Sequence, residues 1–129
     1  MAGYSTNIEA DALANSDFRR VLFTAPHSQL VLMTLQPGEE IGVETHADRD
    51  QFFRVEAGSG EAVIDGPHHP LSDGTAAVVP AGAEHNVINL SDTEPLRLYT
   101  IYSPAEHSDG TINKTKADAE EYERLHRGQ

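Results

Sequence analysis

Residues 38–58 read GEEIGVETHADRDQFFRVEAG, and the way this stretch divides into strands and turns decides the fold. Glu44 and His46 are two positions apart, so on an extended strand they leave the same face. Ala47-Asp48-Arg49-Asp50 is a turn, and Gln51 opens the next strand. Within QFFRVE, side-chain parity puts Gln51, Phe53 and Val55 on one face and Phe52, Arg54 and Glu56 on the other. Arg54 and Glu56 make a poor interior, so the Gln51 face turns inward. A buried amide needs hydrogen-bond partners, and a metal ion or a bound ligand supplies one. Antiparallel pairing across the turn carries Gln51 toward Glu44 and His46, so three polar donors converge without any helix.

Outward from this stretch the same grammar repeats. Arg19–Thr24, Gln29–Leu35, Glu61–Ile64, Ala76–Val79, His85–Leu90 and Leu96–Tyr102 are short apolar runs, each ended by Pro, Gly, Asp or Ser. In LRLYTIY, Leu96, Leu98, Thr100 and Tyr102 share one face. Many short strands with regular turn punctuation indicate an all-β sandwich or a closed barrel. His68-His69, after Asp65-Gly66-Pro67, reads as a hairpin loop, and residues 1–17 as polar and irregular, with room for one short edge strand or turn. Residues 115–126 differ: Thr115 can cap, Asp118 suits a first turn, and Glu120 and Arg124 stand at i, i+4. They predict one short C-terminal helix with Tyr122 and Leu125 packed on the barrel.

Composition narrows the classes of function. The 129 residues fit a single domain. The absence of cysteine excludes disulfides, zinc–thiolate sites and Cys nucleophiles. A net charge of -12 repels phosphate backbones and anionic membranes, so neither nucleic acid nor membrane is an expected partner. No apolar run approaches the roughly 18 residues of a spanning helix. The polar N-terminus lacks the basic and apolar regions of a signal peptide, and the expected compartment is the cytoplasm.

A second piece, GTAAVVPAGAEHNVIN at residues 74–89, has Gly74-x5-Pro80-x-Gly82-x2-His85-x3-Asn89. Together the two pieces resemble the paired motifs of the cupin superfamily, usually Gly-x5-His-x-His-x3 or 4-Glu-x6-Gly and Gly-x5-Pro-x-Gly-x2-His-x3-Asn. The second motif matches at every fixed position. In the first, Gly38, His46 and Gly58 match, while Glu44 replaces the first His and Gln51 replaces the Glu. The resemblance implies a double-stranded β-helix (jelly-roll) barrel over about residues 18–104, within one cupin domain spanning 1–129, and a divalent metal held by Glu44, His46, Gln51 and His85. The set still carries one carboxylate, moved from the third ligand position to the first. Imidazole and oxygen donors suit Mn, Fe, Co, Ni or Zn. Gln51 either ligates the ion or hydrogen-bonds a water on it.

Cupins span many activities, so the site must carry the functional reading. The first expectation is a small metalloenzyme using the ion as a Lewis acid on a small oxygenated substrate, with isomerase, lyase or epimerase chemistry. The alternatives are a metal-dependent dioxygenase and a non-enzymatic binding module for a sugar or acid. Glu44 serves as ligand or as general base. Tyr102 and His107, flanking Ser103-Pro104, are candidate proton donors at the barrel mouth, against the plainer roles of packing and loop capping. Phe53, Val55, Met33, Leu98 and Val87 are expected as apolar walls. His27, His68, His69 and His126 read as surface residues. Cupin-like barrels commonly pair through an edge strand, so a homodimer is expected, with residues 1–24 as the strand.

Overall fold

The alternation read in the sequence becomes the inside and outside of two β-sheets. The computed structural model describes residues 2–126, the side chain of His126 excepted, so the expectation for that imidazole lies outside the described residues. The strands are β1 (Arg19–Thr24), β2 (Gln29–Leu35), β3 (Glu44–Thr45), β4 (Asp50–Ala57), β5 (Gly60–Ile64), β6 (His68–Leu71), β7 (Ala76–Val79), β8 (Glu84–Asn89), β9 (Leu96–Ser103) and β10 (Ile112–Asn113). Helices α1 (Ile8–Ala14) and α2 (Lys116–His126) flank them. The six-stranded sheet runs β10-β1-β2-β9-β4-β7, and the four-stranded sheet runs β3-β8-β5-β6, with antiparallel pairing throughout. This is the expected jelly-roll barrel with a short C-terminal helix.

The faces follow parity. Leu96, Leu98, Thr100 and Tyr102 are buried along β9, and Gln51, Phe53 and Val55 along β4. Met33, Leu35 and Val87 complete an interior in which each fully buried aliphatic side chain contributes about 1.5–3 kcal/mol. Gly58, at φ +97°, turns the chain out of β4, and a Cβ there would lie 2.5 Å from the Pro95 carbonyl oxygen, so no larger residue fits.

Several elements differ from the sequence reading. Residues 8–14 form α1, capped by Asn7, whose Oδ1 accepts from the Ala10 N–H at 3.0 Å. This helix packs on β2, β4 and β9 through buried Ala12. Glu56 is buried although it follows Val55, because a bulge between Val55 and Ala57 breaks the alternation, and Arg54 pairs with it. His68 and His69 lie in β6, paired with Val63 and Ala62, and both are exposed. The start of β1 is not an open edge: β10 pairs with Arg19 and Arg20, and the Val21 N–H donates to Thr111 O at 2.8 Å. On α2, Thr115 caps as expected, with its Oγ1 accepting from the Asp118 N–H. Ala119 is the buried residue there, Leu125 is 59 % exposed, and Arg124 pairs with Glu121 rather than Glu120. Among the described residues no helix is long and apolar enough to cross a membrane.

Candidate functional site

Each sheet delivers two of the polar side chains or their anchors to one end of the interior. β3 and β8 pair so that Glu44 lies opposite His85. Gly82, in the left-handed region at φ +88°, ends the Pro80 turn, and its N–H donates to His46 O at 2.8 Å, which fixes the chain just beyond β3. From the other sheet, Gln51 sits on β4 opposite Tyr102 and Val79. Gln51 and His85 meet across the barrel, with Gln51 Oε1 3.1 Å from His85 Nε2. The Gln51 amide nitrogen donates to Thr100 Oγ1 at 3.0 Å.

The protonation of the two imidazoles follows from their neighbours. His85 Nδ1 stands 3.1 Å from the Ala83 carbonyl oxygen and its Nε2 3.1 Å from Gln51 Oε1, so both ring nitrogens face oxygen acceptors. His46 Nδ1 faces Glu106 Oε2 at 3.2 Å, and its Nε2 turns inward, 3.4 Å from Glu44 Oε2. Among the described residues, His46 Nε2 and Arg19 Nε are the buried side-chain polar atoms that make no hydrogen bond. The two imidazole rings are 5.3 Å apart between centroids. Burial pulls the His46 pKa down, but the Glu44 and Glu106 carboxylates outweigh it and hold the ring above the ordinary imidazole value.

Two features bear on a metal. Among the described residues no three His, Asp or Glu side chains converge tightly enough to enclose an ion by themselves. Counting the Gln51 amide, the donors form two close pairs, Glu44 with His46 and Gln51 with His85. Two donors about 2.1 Å from one ion stand about 3.0 Å apart at octahedral angles and about 3.4 Å apart at tetrahedral ones. The observed 3.1 and 3.4 Å match those separations. A neutral His85 ring has one proton for two oxygen acceptors, so one of its nitrogens faces an oxygen with a lone pair. The donor set therefore fits a divalent ion in chemistry, and each of its two close pairs has the spacing of two ligands on one ion.

Tyr102 and His107 are also interior groups. The Tyr102 ring meets His46 edge-on at 6.0 Å, and its hydroxyl lies 3.4 Å from His107 Nε2. Burial, and then the Glu44 charge, push the Tyr102 pKa up, so the phenol stays protonated. Burial, and then the Arg19 charge, lower the His107 pKa to about 2, so this ring is neutral. Phe53, Val55, Met33, Leu98 and Val87 are all buried, and the Phe53 ring lies 6.4 Å from that of His85. His27 is exposed, and the His68 side chain pairs with Glu61 at 3.0 Å. A recess of about 100 Å³ beside His85 is lined by Val43, Val63 and Asn86. A larger groove of about 530 Å³ lies apart from the polar cluster, between the N-terminal arm and the outer face of β1 and β2.

Sequence reasoning missed Glu106, Arg49 and Gln29. Arg49 donates to Glu106 Oε2 and to Ala105 O, both at 2.7 Å. Buried Gln29 accepts from the N–H groups of Glu106 and His107 and donates to His107 O. The signal available was a polar Gln29 at the head of a strand that is apolar through Met33. Nothing near Glu106 in the sequence pairs it with His46.

The fold and this interior cluster define a double-stranded β-helix barrel with polar side chains gathered at one end. The Cupin domain family matches residues 31–102, more than half of the chain, and the chain belongs to that family. It is 46% identical over 113 residues to Uncharacterized protein L612 of Acanthamoeba polyphaga mimivirus, covering 85% of this chain and 71% of that one. It is 44% identical over 122 residues to Uncharacterized protein YrkC of Bacillus subtilis, covering 90% of this chain and 65% of that one. The crystal structure of BH2720 from Bacillus halodurans superposes with a TM-score of 0.90 at 40% identity, covering 93% of this chain and 95% of that one. The chain thus spans about two thirds of the length of the two curated relatives.

Proposed function

We propose that this chain is a metal-binding cupin in which Glu44, His46, Gln51 and His85 hold one divalent ion, and that it acts on a small oxygenated substrate. The observation that carries the reading is the enclosed His46 Nε2 facing the Glu44 carboxylate at 3.4 Å. His85 supports it, since both of its ring nitrogens face oxygen acceptors and a neutral ring has a proton for only one of them.

The bound ion would supply Lewis-acid polarisation of a substrate carbonyl, enediol or carboxylate. The chain's own residues do the rest. The apolar walls exclude water and strengthen every charge interaction inside. The Tyr102 phenol, kept protonated, can donate a hydrogen bond to a substrate oxygen. Glu44 would hold the ion or, with its carboxylate free, serve as a general base. Isomerase, lyase or epimerase chemistry follows from such a set.

Elemental analysis after loading with Mn, Fe, Co, Ni and Zn, each followed by desalting, tests the metal. One equivalent of at least one of them is expected in the wild type, and His46→Ala and His85→Ala each lose it. Full occupancy in either variant removes that residue from the set. Turnover of hydroxy-acid or sugar substrates supports an enzyme. Oxygen uptake would favour the dioxygenase, and thermal shifts without turnover would favour a binding module.

A further inference from the structure

Two carboxylates compete for one imidazole. Glu106 Oε2 lies 3.2 Å from His46 Nδ1, and Glu44 Oε2 lies 3.4 Å from Nε2. A neutral ring has one proton to give, and whichever carboxylate holds it decides which nitrogen keeps a lone pair. A cation among the four donors requires the lone pair on Nε2.

The outer carboxylate is the one held in place. Glu106 sits between β9 and β10, where Gln29 accepts from its N–H at 3.2 Å and brackets His107 through both its N–H and its carbonyl. Arg49 donates to Ala105 O and to the same Glu106 oxygen that faces His46, each at 2.7 Å. At His85 the matching position is filled by the Ala83 carbonyl, at 3.1 Å from Nδ1. Both imidazoles therefore have an acceptor behind them and an Nε2 in front.

We propose that Glu106 is a positioning residue that holds the Nδ1 proton of His46 and so leaves Nε2 bare for a cation. This role rests on reading Glu44, His46, Gln51 and His85 as a metal set. Outer-shell acceptors of this kind are worth about ten- to a hundredfold in metal affinity.

The test has two readouts on the full chain. In metal-free protein labelled with 15N in histidine, at a pH where the ring is neutral, nitrogen shifts report the tautomer of His46. The wild type is expected as the Nδ1–H form. Glu106→Ala moves it toward the Nε2–H form, because Glu44 stands ready to accept that proton. Zinc affinity, measured by competition with a chelator, falls about ten- to a hundredfold in Glu106→Ala. Glu106→Gln, whose amide oxygen still accepts, restores the tautomer and most of the affinity. A Glu106→Ala variant that keeps the Nδ1–H form, or that binds zinc within about twofold of wild type while His46→Ala has lost it, overturns the positioning role alone. Zinc retained in His46→Ala overturns the site reading, and this role with it.

Discussion

Glu123→Gln tests whether α2 is latched onto the barrel by charge. Arg19 on β1 is only 2 % exposed, and its Nη2 donates to Glu123 Oε1 at 2.9 Å. Its Nη1 donates to Asn113 Oδ1 at 3.3 Å, its Nε makes no hydrogen bond, and the guanidinium lies over the Phe18 ring at 5.6 Å. Glu123 is therefore the one carboxylate among the described residues that pairs with this buried cation. At 2.9 Å and an effective dielectric of about 20, the attraction is about 6 kcal/mol. The Glu123 side chain is 38% exposed, so water screens much of this, and the net loss in Glu123→Gln is expected at about 1–3 kcal/mol. For 129 residues the unfolding entropy is about 0.27 kcal/mol per degree, so a loss of 2 kcal/mol lowers Tm by about 7 °C. Circular dichroism melts and urea titrations measure it. A double-mutant cycle with Arg19→Met isolates the pair, and Glu123→Gln should cost almost nothing in the Arg19→Met background. A change within about 0.5 kcal/mol in the wild-type background, or an equal cost in both backgrounds, refutes the latch.

The other expectations are briefer. A divalent ion at a hundred times its Kd should stabilise the wild type by about 2.7 kcal/mol, raising Tm by about 10 °C. Differential scanning fluorimetry should find that shift absent from His85→Ala, and an unchanged shift would remove His85 from the metal set. Folded His107 stays neutral down to about pH 2, whereas an unfolded imidazole takes up a proton near 6.5, so the unfolded chain binds more protons between these values. Stability therefore falls as pH drops below about 6.5, with His107 contributing up to about 1.4 kcal/mol per pH unit. His107→Asn should flatten the slope measured by urea unfolding, and identical slopes would contradict the buried neutral ring. In Gly60→Ala the new Cβ would stand 2.2 Å from the Ile88 carbonyl oxygen, a backbone atom with little room to move. Overpacking of this kind costs about 1–3 kcal/mol, and a variant as stable as wild type in denaturant melts would show that β5 and β8 can separate there.

Parity and turn chemistry are local properties, and they were legible before any coordinates. Alternation along Leu96–Tyr102 and Gln51–Val55 identified the interior face, because successive strand side chains point to opposite sides. The spacing of Glu44, His46, Gln51 and His85 named the polar residues that β3, β4 and β8 bring to one end of the barrel. Where alternation broke, at Glu56, the cause was a bulge, which depends on the partner strand and not on the run itself. Helix α1 escaped notice although Asn7 is a good cap and Glu9 and Asp11 suit its first turn. Seven residues are too few to hold a helix without the surface that Ala12 docks against.

The sequence by itself determined the strand alternation and the turns, since each follows from neighbours a few residues apart, and the resemblance to the paired cupin motifs named Glu44, His46, Gln51 and His85 as a set. Only the tertiary structure decided which carboxylate stands behind His46, which residue neutralises Arg19, and that residues 111–113 cover the start of β1. Glu106 reaches His46 across 60 residues of chain, and Glu123 reaches Arg19 across 104. Contacts of that separation leave no periodic trace in the sequence, because they depend on where loops return after the barrel has closed.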